Sequence, residues 1–342
     1  MHAYQSMRTV IAAGAMSVAI ACGSAGALAA DLTAVKAAPA PLPPPGLDIH
    51  GFFDLSFKND YITPRGLLVT NTGLTTQALM GLVFDLYKDK TGFIKDVSFY
   101  GGVWNDLWSK QHDPHVGAWN EFDWFVGLDV QFADYWKFGV QYIEFIPPAH
   151  DLATSFPSVE RNVEFSLAYD DTHWGWAIPL HPYVKLFYAV SGPSTVVLGN
   201  RGDTYDVELG MVPVLKLKNY VGLPITLTAP TWVTVGPTSY WNRNDGTTNF
   251  CGPMSSSRCA LSNAGVVSTG LTAKMPIDFL IPPRLGNWYV DAGFQYYHII
   301  NDALLGAQVL TGAAGGAAGV AGTFPQSHRD IVVGFTGIGM SF

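Results

Sequence analysis

Between Glu121 and Phe132 the chain alternates without a break. Phe122, Trp124, Val126, Leu128, Val130 and Phe132 share one parity; Glu121, Asp123, Phe125, Gly127, Asp129 and Gln131 share the other. A period of two is that of a β-strand, whose successive side chains point to opposite faces. The first face needs apolar surroundings. The second carries three carboxylates, which are very costly against hydrocarbon and ordinary against water. From Asp48 to Lys58 the chain repeats this, setting Ile49, Gly51, Phe53, Leu55 and Phe57 against His50, Phe52, Asp54, Ser56 and Lys58. Val159–Tyr169, Tyr183–Val190, Tyr205–Val212 and Trp288–Tyr296 alternate similarly. Thr75–Leu86, Val97–Trp108, Trp136–Ile143, Ile225–Val235 and Val267–Met275 are less regular, and Asp330–Phe342 is the last such segment.

That makes about twelve strands, an even number as in single-chain bacterial barrels. Ten and fourteen stay open, because the run LTAPTWVTVGP carries prolines that interrupt a hydrogen-bond ladder. Helical periodicity is nowhere sustained, so no amphipathic helix is available to cover an aromatic outer face. The expectation is an all-β fold: an antiparallel transmembrane β-barrel over residues 47–342. An apolar secreted β-sandwich shares the strand and turn signals and is the competing reading.

Composition supports the barrel. Hydrophobic residues make up 48% and charged residues 13%, against about 25% charged in soluble domains. Past the N-terminus no run approaches the roughly 18 apolar residues of a membrane helix. The formal net charge is −8. An acidic chain without a basic stripe excludes a nucleic-acid partner, and an acidic lumen favours cations through its local potential.

Residues 1–30 read as a cleaved signal peptide, with Arg8 as the positive region, Val10 to Ala21 as the apolar region and Ala27-Leu28-Ala29 as the cleavage signal. Cys22 after Ala19-Ile20-Ala21 permits a lipoprotein reading, which the better cleavage signal outweighs. Residues 31–46 read as an Ala/Pro-rich periplasmic linker, since their prolines lack ladder donors. Cys251 and Cys259, in CGPMSSSRC, are a candidate disulfide closing a short loop in an oxidising compartment.

Lys88 to Gly92 is a short polar turn of periplasmic type, whereas 59–73, 109–118, 145–157, 238–265 and 302–328 read as long extracellular loops. Tyr61, Trp104, Trp108, Trp119, Tyr135, Trp136, Trp288 and Tyr289 lie near strand ends, as interfacial aromatic girdles do. Phe342 ends an alternating strand with Met340 and Ile338 on its own face. Such a terminal aromatic resembles the signal read by barrel-assembly machinery. With the signal peptide, it places the chain in a bacterial outer membrane.

Several stretches resemble the TorF family of porins. NDYITPRG (59–66) followed by LTTQALMGLVFDL (74–86) is similar to that family's opening. FYGGVWNDLW, EFDWFVGLDVQF, FGVQYIEFIPP and VERNVEFSLAYDD look like its following strands, so the likeness covers residues 50–215. It implies a porin-like barrel of undefined solute.

No GxSxG elbow, HExxH or P-loop occurs. His112-Asp113-Pro114-His115 reads as a polar loop sooner than a metal site. Ser56 with His50, and His298 elsewhere, are the residues a barrel hydrolase would draw on. The reading is a non-enzyme without cofactor or metal. Its pore lining would include Asp54, Lys58, Glu121, Asp123, Asp129, Glu164, Lys185, Glu208 and Asp291, because rings of charge in a lumen set selectivity. Phe52, Tyr100, Phe125 and Phe187 point the same way and would narrow it. Small polar solutes, outer-membrane lipid and lipopolysaccharide, and the assembly machinery are the expected partners. A non-conducting barrel acting through its loops is the alternative.

Overall fold

The structure is a computed structural model, which describes residues 48–71, 73–110, 118–146, 148, 159–191, 203–241, 263–302, 304–305 and 328–342. The segments expected to be a signal peptide and a linker, the cysteine pair, and His112 and His115 lie outside the described residues.

Among the described residues sixteen strands follow one another. They are β1 (Asp48–Lys58), β2 (Tyr61–Ile62), β3 (Leu68–Thr70), β4 (Thr75–Lys88), β5 (Ile94–Trp108) and β6 (Trp119–Phe132). Then come β7 (Trp136–Ile146), β8 (Glu160–Tyr169), β9 (Pro182–Ser191), β10 (Thr204–Met211) and β11 (Val214–Lys216). The last are β12 (Thr226–Thr228), β13 (Thr231–Val235), β14 (Ala264–Pro276), β15 (Asn287–Ile299) and β16 (Asp330–Ser341). In the wall, β1 pairs with β4, the strands that follow pair antiparallel with their neighbours, and β16 returns to pair with β1, Phe52 opposite Ser341 through Lys58 opposite Phe335. The wall is therefore closed, which leaves no edge for another chain to extend.

Two of the sixteen strands, β2 and β3, form a separate hairpin, and the prolines explain why the other fourteen make twelve staves. Val212-Pro213 separates β10 from β11, and Ala229-Pro230 separates β12 from β13. β12 and β13 both lie against β14, so they are two halves of one stave. Ala229 N–H donates to Pro213 O at 3.0 Å across the gap, and Gly270 N–H donates to Pro230 O at 3.0 Å. Proline removes a donor and the ladder resumes beyond it. The LTAPTWVTVGP run is thus one stave of a twelve-strand barrel.

The outer face is apolar on every side. Met80, Leu82, Phe99, Phe138, Phe165, Leu209, Leu271, Phe294 and Val332 are exposed there. One end of the wall carries both described chain ends, near Asp48 and Phe342, and the connections 89–93, 133–135, 170–181, 217–225 and 277–286. The other end carries the longer connections.

The first of these longer connections does not stay outside. β2 and β3 form a small hairpin whose residues Ile62, Thr63, Arg65, Leu67, Leu68 and Thr70 are all buried. It stands inside the barrel, where Tyr61 meets Trp104 of β5 at 5.6 Å between rings and Trp232 Nε1–H donates to Pro64 O at 3.2 Å. The expected extracellular loop 59–73 is corrected accordingly. Its physical reason is apolar: burying Ile62, Leu67 and Leu68 stabilises the inserted hairpin by roughly 1.5–3 kcal/mol each. Gly66 N–H donates to Thr63 O at 2.9 Å, closing a turn with Pro64 second and Gly66 fourth. Gly66 has φ +93°, and a Cβ there would stand 3.2 Å from Val266 Cβ, so a side chain is unwelcome on both counts.

The aromatic girdle expectation needs a second correction. Trp104 and Trp108 are buried on the inner face of β5, Tyr61 belongs to the inserted hairpin, and Tyr289 reaches inward to Asp54. Parity decides this, since 104 and 108 share the inward parity of Tyr100. Trp119 and Trp136 are exposed near strand ends, as expected.

Candidate functional site

The interior of the barrel is where polar residues collect. All nine charged residues singled out in the sequence stand on the inward parity of their strands. Asp54, Asp123, Asp129, Glu164, Lys185 and Glu208 are buried, and Lys58, Glu121 and Asp291 are partly so. The structure divides them into groups.

One group holds the hairpin in place. Arg65, at its tip, donates from Nε to Asp206 Oδ1 at 3.2 Å and lies 3.8 Å from Glu164 Oε2. Its guanidinium carbon sits 3.5 Å above the centre of the Phe187 ring. Glu164 also approaches Lys185 at 3.5 Å, and Glu208 accepts from Tyr183 Oη–H at 2.7 Å. An arginine suits this place because its flat, always charged fork can bond a carboxylate while stacking on a ring. Three adjacent staves, β8, β9 and β10, supply the partners.

A second group lies along β1, β14 and β15. Asp54, Ser56, Lys58, Thr272, Asp291 and Gln295 line a cavity of about 50 Å³ together with Trp232, Tyr297, Val333 and Phe335, enough for about three waters. Tyr289 Oη–H donates to Asp54 Oδ2 at 2.8 Å, and Lys274 Nζ lies 3.4 Å over the Tyr289 ring.

A third group is acidic. Glu121 and Asp123 of β6 lie within electrostatic reach of Asp106 on β5 and Glu160 on β8. Tyr61 Oη–H donates to Glu121 Oε2 at 3.1 Å, which ties the hairpin to this cluster. Asp106 accepts from Trp108 Nε1–H at 2.6 Å and from Gln77 Nε2 at 3.3 Å, and Lys58 is the cation nearest to it in effect. Asp123 Oδ1 has no hydrogen-bond partner among the described residues. Asp129, towards the end that carries the chain termini, pairs separately with Lys137 Nζ at 2.5 Å.

Sequence reasoning missed Arg65, Asp106, Glu160, Asp206 and Lys274 as members of these groups. Parity alone would have found three of them: Asp106 shares the face of Tyr100, Asp206 that of Glu208, and Lys274 lies inward in the register of β14 with β15, opposite Asp291. Glu160 begins its strand, where parity has little chain to act on. Arg65 carried no local signal, because only tertiary folding brings the hairpin inside.

The residues a hydrolase would draw on are far apart. His50 bonds Asp85 at 2.9 Å near one end of β1. Ser56 lies six residues along the same strand, about 20 Å away at the usual rise. His298 is partly exposed on the outer face, 2.7 Å from Asp330.

The fold and this interior define a class: a closed twelve-strand antiparallel barrel with an apolar exterior and a charged, partly filled lumen. No protein-family model matches the chain, and no curated protein matches it. Among solved structures it is similar to the COG4313 outer membrane channel from Pseudomonas putida F1, at 11% identity and TM-score 0.47, covering 90% of this chain and 100% of that one. It is also similar to Pseudomonas putida OprB, at 11% identity and TM-score 0.37, covering 87% and 94%. The translocator domain of the autotransporter NalP from Neisseria meningitidis is similar at 13% identity and TM-score 0.35, covering 87% and 89%. These likenesses are low, and the barrel assignment rests on the strand pairing itself. The resemblance to the TorF family rests on its motif residues alone.

Proposed function

We propose that the chain is a porin-like outer-membrane barrel, related to the TorF family, that passes small hydrophilic solutes and prefers cations. The observation that carries this reading is the division of the wall. Exposed Leu, Met, Val and Phe side chains surround it, while carboxylates, amines and amides face inward. Soluble monomers rarely expose contiguous apolar area beyond a few hundred Å², whereas a bilayer demands it. The signal peptide and the terminal Phe342 support export and assembly in that membrane. Cation preference is supported by the cluster of Asp106, Glu121, Asp123 and Glu160, by the same logic as rings of acidic side chains in cation channels.

The inserted hairpin 61–70 sets the aperture in this reading. The test is single-channel recording of the full chain in planar bilayers. Small discrete steps are expected, and replacing 61–70 by a short Gly/Ser link is expected to enlarge them. Bilayers that stay sealed with both proteins would sink the proposal. That outcome would favour the second reading, a non-conducting barrel acting through its loops. The aromatic filling by Tyr100, Phe125 and Phe187, all buried, supports this alternative.

A further inference from the structure

The cavity bounded by β1, β14, β15 and β16 is lined by charges of both signs that the protein leaves unpaired. Asp291 stands directly opposite Lys274 in the register of β15 with β14, where a cross-strand ion pair is the ordinary outcome. That pair is not made. Lys274 Nζ lies 3.4 Å over the Tyr289 ring instead, and the Asp291 carboxylate forms no hydrogen bond or ion pair among the described residues. Lys58 lies within electrostatic reach of Asp54, Asp106 and Asp291, yet its ammonium bonds to none of them. Thr272 is 3% exposed, and its Oγ1 has no hydrogen-bond partner among the described residues. Asp291, Lys58 and Thr272 all line the same cavity.

Glycines keep these groups apart. Gly337 stands opposite Asp291 on one side and Ser56 on the other. Gly293 stands in the same way between Thr272 and Phe335. A Cβ on Gly337 would lie 2.7 Å from Asp291 Oδ1, and one on Gly293 would lie 2.9 Å from the Phe335 ring. The carboxylate and the ring therefore rest over bare backbone, and a cavity remains between β1 and β14. The cross-strand neighbours of Lys58 are Phe335 and Thr75, which offer it no charge.

Unpaired charges are costly in a protein interior, and such departures gather at functional sites. Two carboxylates, Asp54 and Asp291, and two ammoniums, Lys58 and Lys274, surround the cavity, so their formal charges cancel. A lone cation would answer the carboxylates and be repelled by the ammoniums. A lone anion would meet the reverse. An uncharged polyol would bond the hydroxyls and neutralise nothing. A molecule with one charge of each sign answers both. Space for about three waters, about 90 Å³ of liquid, admits two charged ends and excludes a large side chain.

We propose that the cavity binds a small zwitterion, an α-amino acid with little or no side chain, with its ammonium held by Asp291 and its carboxylate by Lys58. The Thr272 hydroxyl supplies a further bond. Passage of such a solute through the lumen rests on the porin reading; its binding in the cavity is measured apart from it.

The test uses the full chain folded in a non-ionic detergent and titrated with ¹³C-labelled glycine, with binding read from the relaxation of the glycine signal. Saturable binding is expected. L-Alanine is expected to displace the label, whereas methylammonium, acetate and glycerol, which carry one charge or none, are expected not to. Lys58→Met and Asp291→Asn, each first checked for folded migration on an unheated gel, are expected to bind glycine about tenfold more weakly or worse. Absence of saturable binding, equal displacement by any of the three simpler probes, or unchanged binding in both folded variants overturns the proposal. Should either variant fail to fold, the displacement series on the wild type decides. Planar bilayers separate the two readings: sealed bilayers with glycine binding intact sink the pore and leave the site, whereas conduction without glycine binding sinks the site and leaves the pore.

Discussion

Single residues in this barrel act through the turns as much as through the wall. Asp89 sits in the tight connection between β4 and β5. It accepts from Thr91 N–H and from the Thr91 hydroxyl, each at 2.8 Å. The backbone bond from Thr91, then its hydroxyl and the Gly92 N–H, pull the carboxyl down to about 2. Its unfolded value is about 3.9. A depressed folded pKa contributes stability that is present above the unfolded value and is lost as pH falls towards the folded one. The Asp89→Asn variant keeps the shape and loses the charge. It should unfold at lower urea than the wild type at pH 5.5, and the gap should narrow by pH 2.5 and close only below about pH 2. A gap of constant size across that range would show that charge is not the cause. The turn was legible because its polar residues are contiguous. The pairing of Arg65 with Asp206 was not, because 141 positions separate the two residues in the chain and nothing local links them.

At the scale of the element, the wall is organised by aromatic rings laid across glycines on the next strand. Tyr100 stands opposite Gly127, Phe125 opposite Gly102, Phe52 opposite Gly81, Tyr183 opposite Gly210 and Tyr289 opposite Gly339. In each pair the ring occupies the space a Cβ would need; at Gly127 the Tyr100 ring atoms come within 2.3 Å of it. An aromatic over a cross-strand glycine protects a backbone that has no side chain and pins the register. The end of the chain does the same from outside. Phe342 and Gly51 exchange two backbone hydrogen bonds of 3.1 Å, and the Phe342 ring covers Gly51. Gly127→Val should therefore cost about 1–3 kcal/mol by overpacking, read as a lower urea midpoint. Adding Tyr100→Ala to it should recover part of the loss, because neighbouring sites couple. Strictly additive losses would argue that the pair is incidental. These strands were legible in the sequence because alternation is imposed by the two environments of the wall, residue by residue. The hairpin of β2 and β3 was not, since five strand residues give too short a run for a period to show. Its apolar Ile62, Leu67 and Leu68 were the available hint, set among polar residues that read as a loop.

The whole molecule places its charges so that the acidic cluster and the cationic tip of the hairpin answer to different parts of the wall. Arg65 is neutralised by Asp206 and Glu164. Glu121 and Asp123 face further carboxylates, with the Tyr61 hydroxyl as a neutral partner. A cation moving through the lumen would thus meet an unbalanced negative field beside the hairpin and a balanced one at its tip. Such a field is screened over about 10 Å at 0.1 M salt and about 3 Å at 1 M, so selectivity should be strongest in dilute salt. Reversal potentials across a tenfold KCl gradient measure it directly. The wild type should favour K⁺, and Glu121→Gln with Asp123→Asn should bring the permeability ratio towards one. Lys58→Met should shift it the other way, because Lys58 opposes Asp106 and, together with Lys274, Asp54. A ratio untouched by all three changes would mean that ions cross by a route these carboxylates do not govern. The acidic cluster would then serve only to anchor Tyr61 and hold the hairpin inside the barrel.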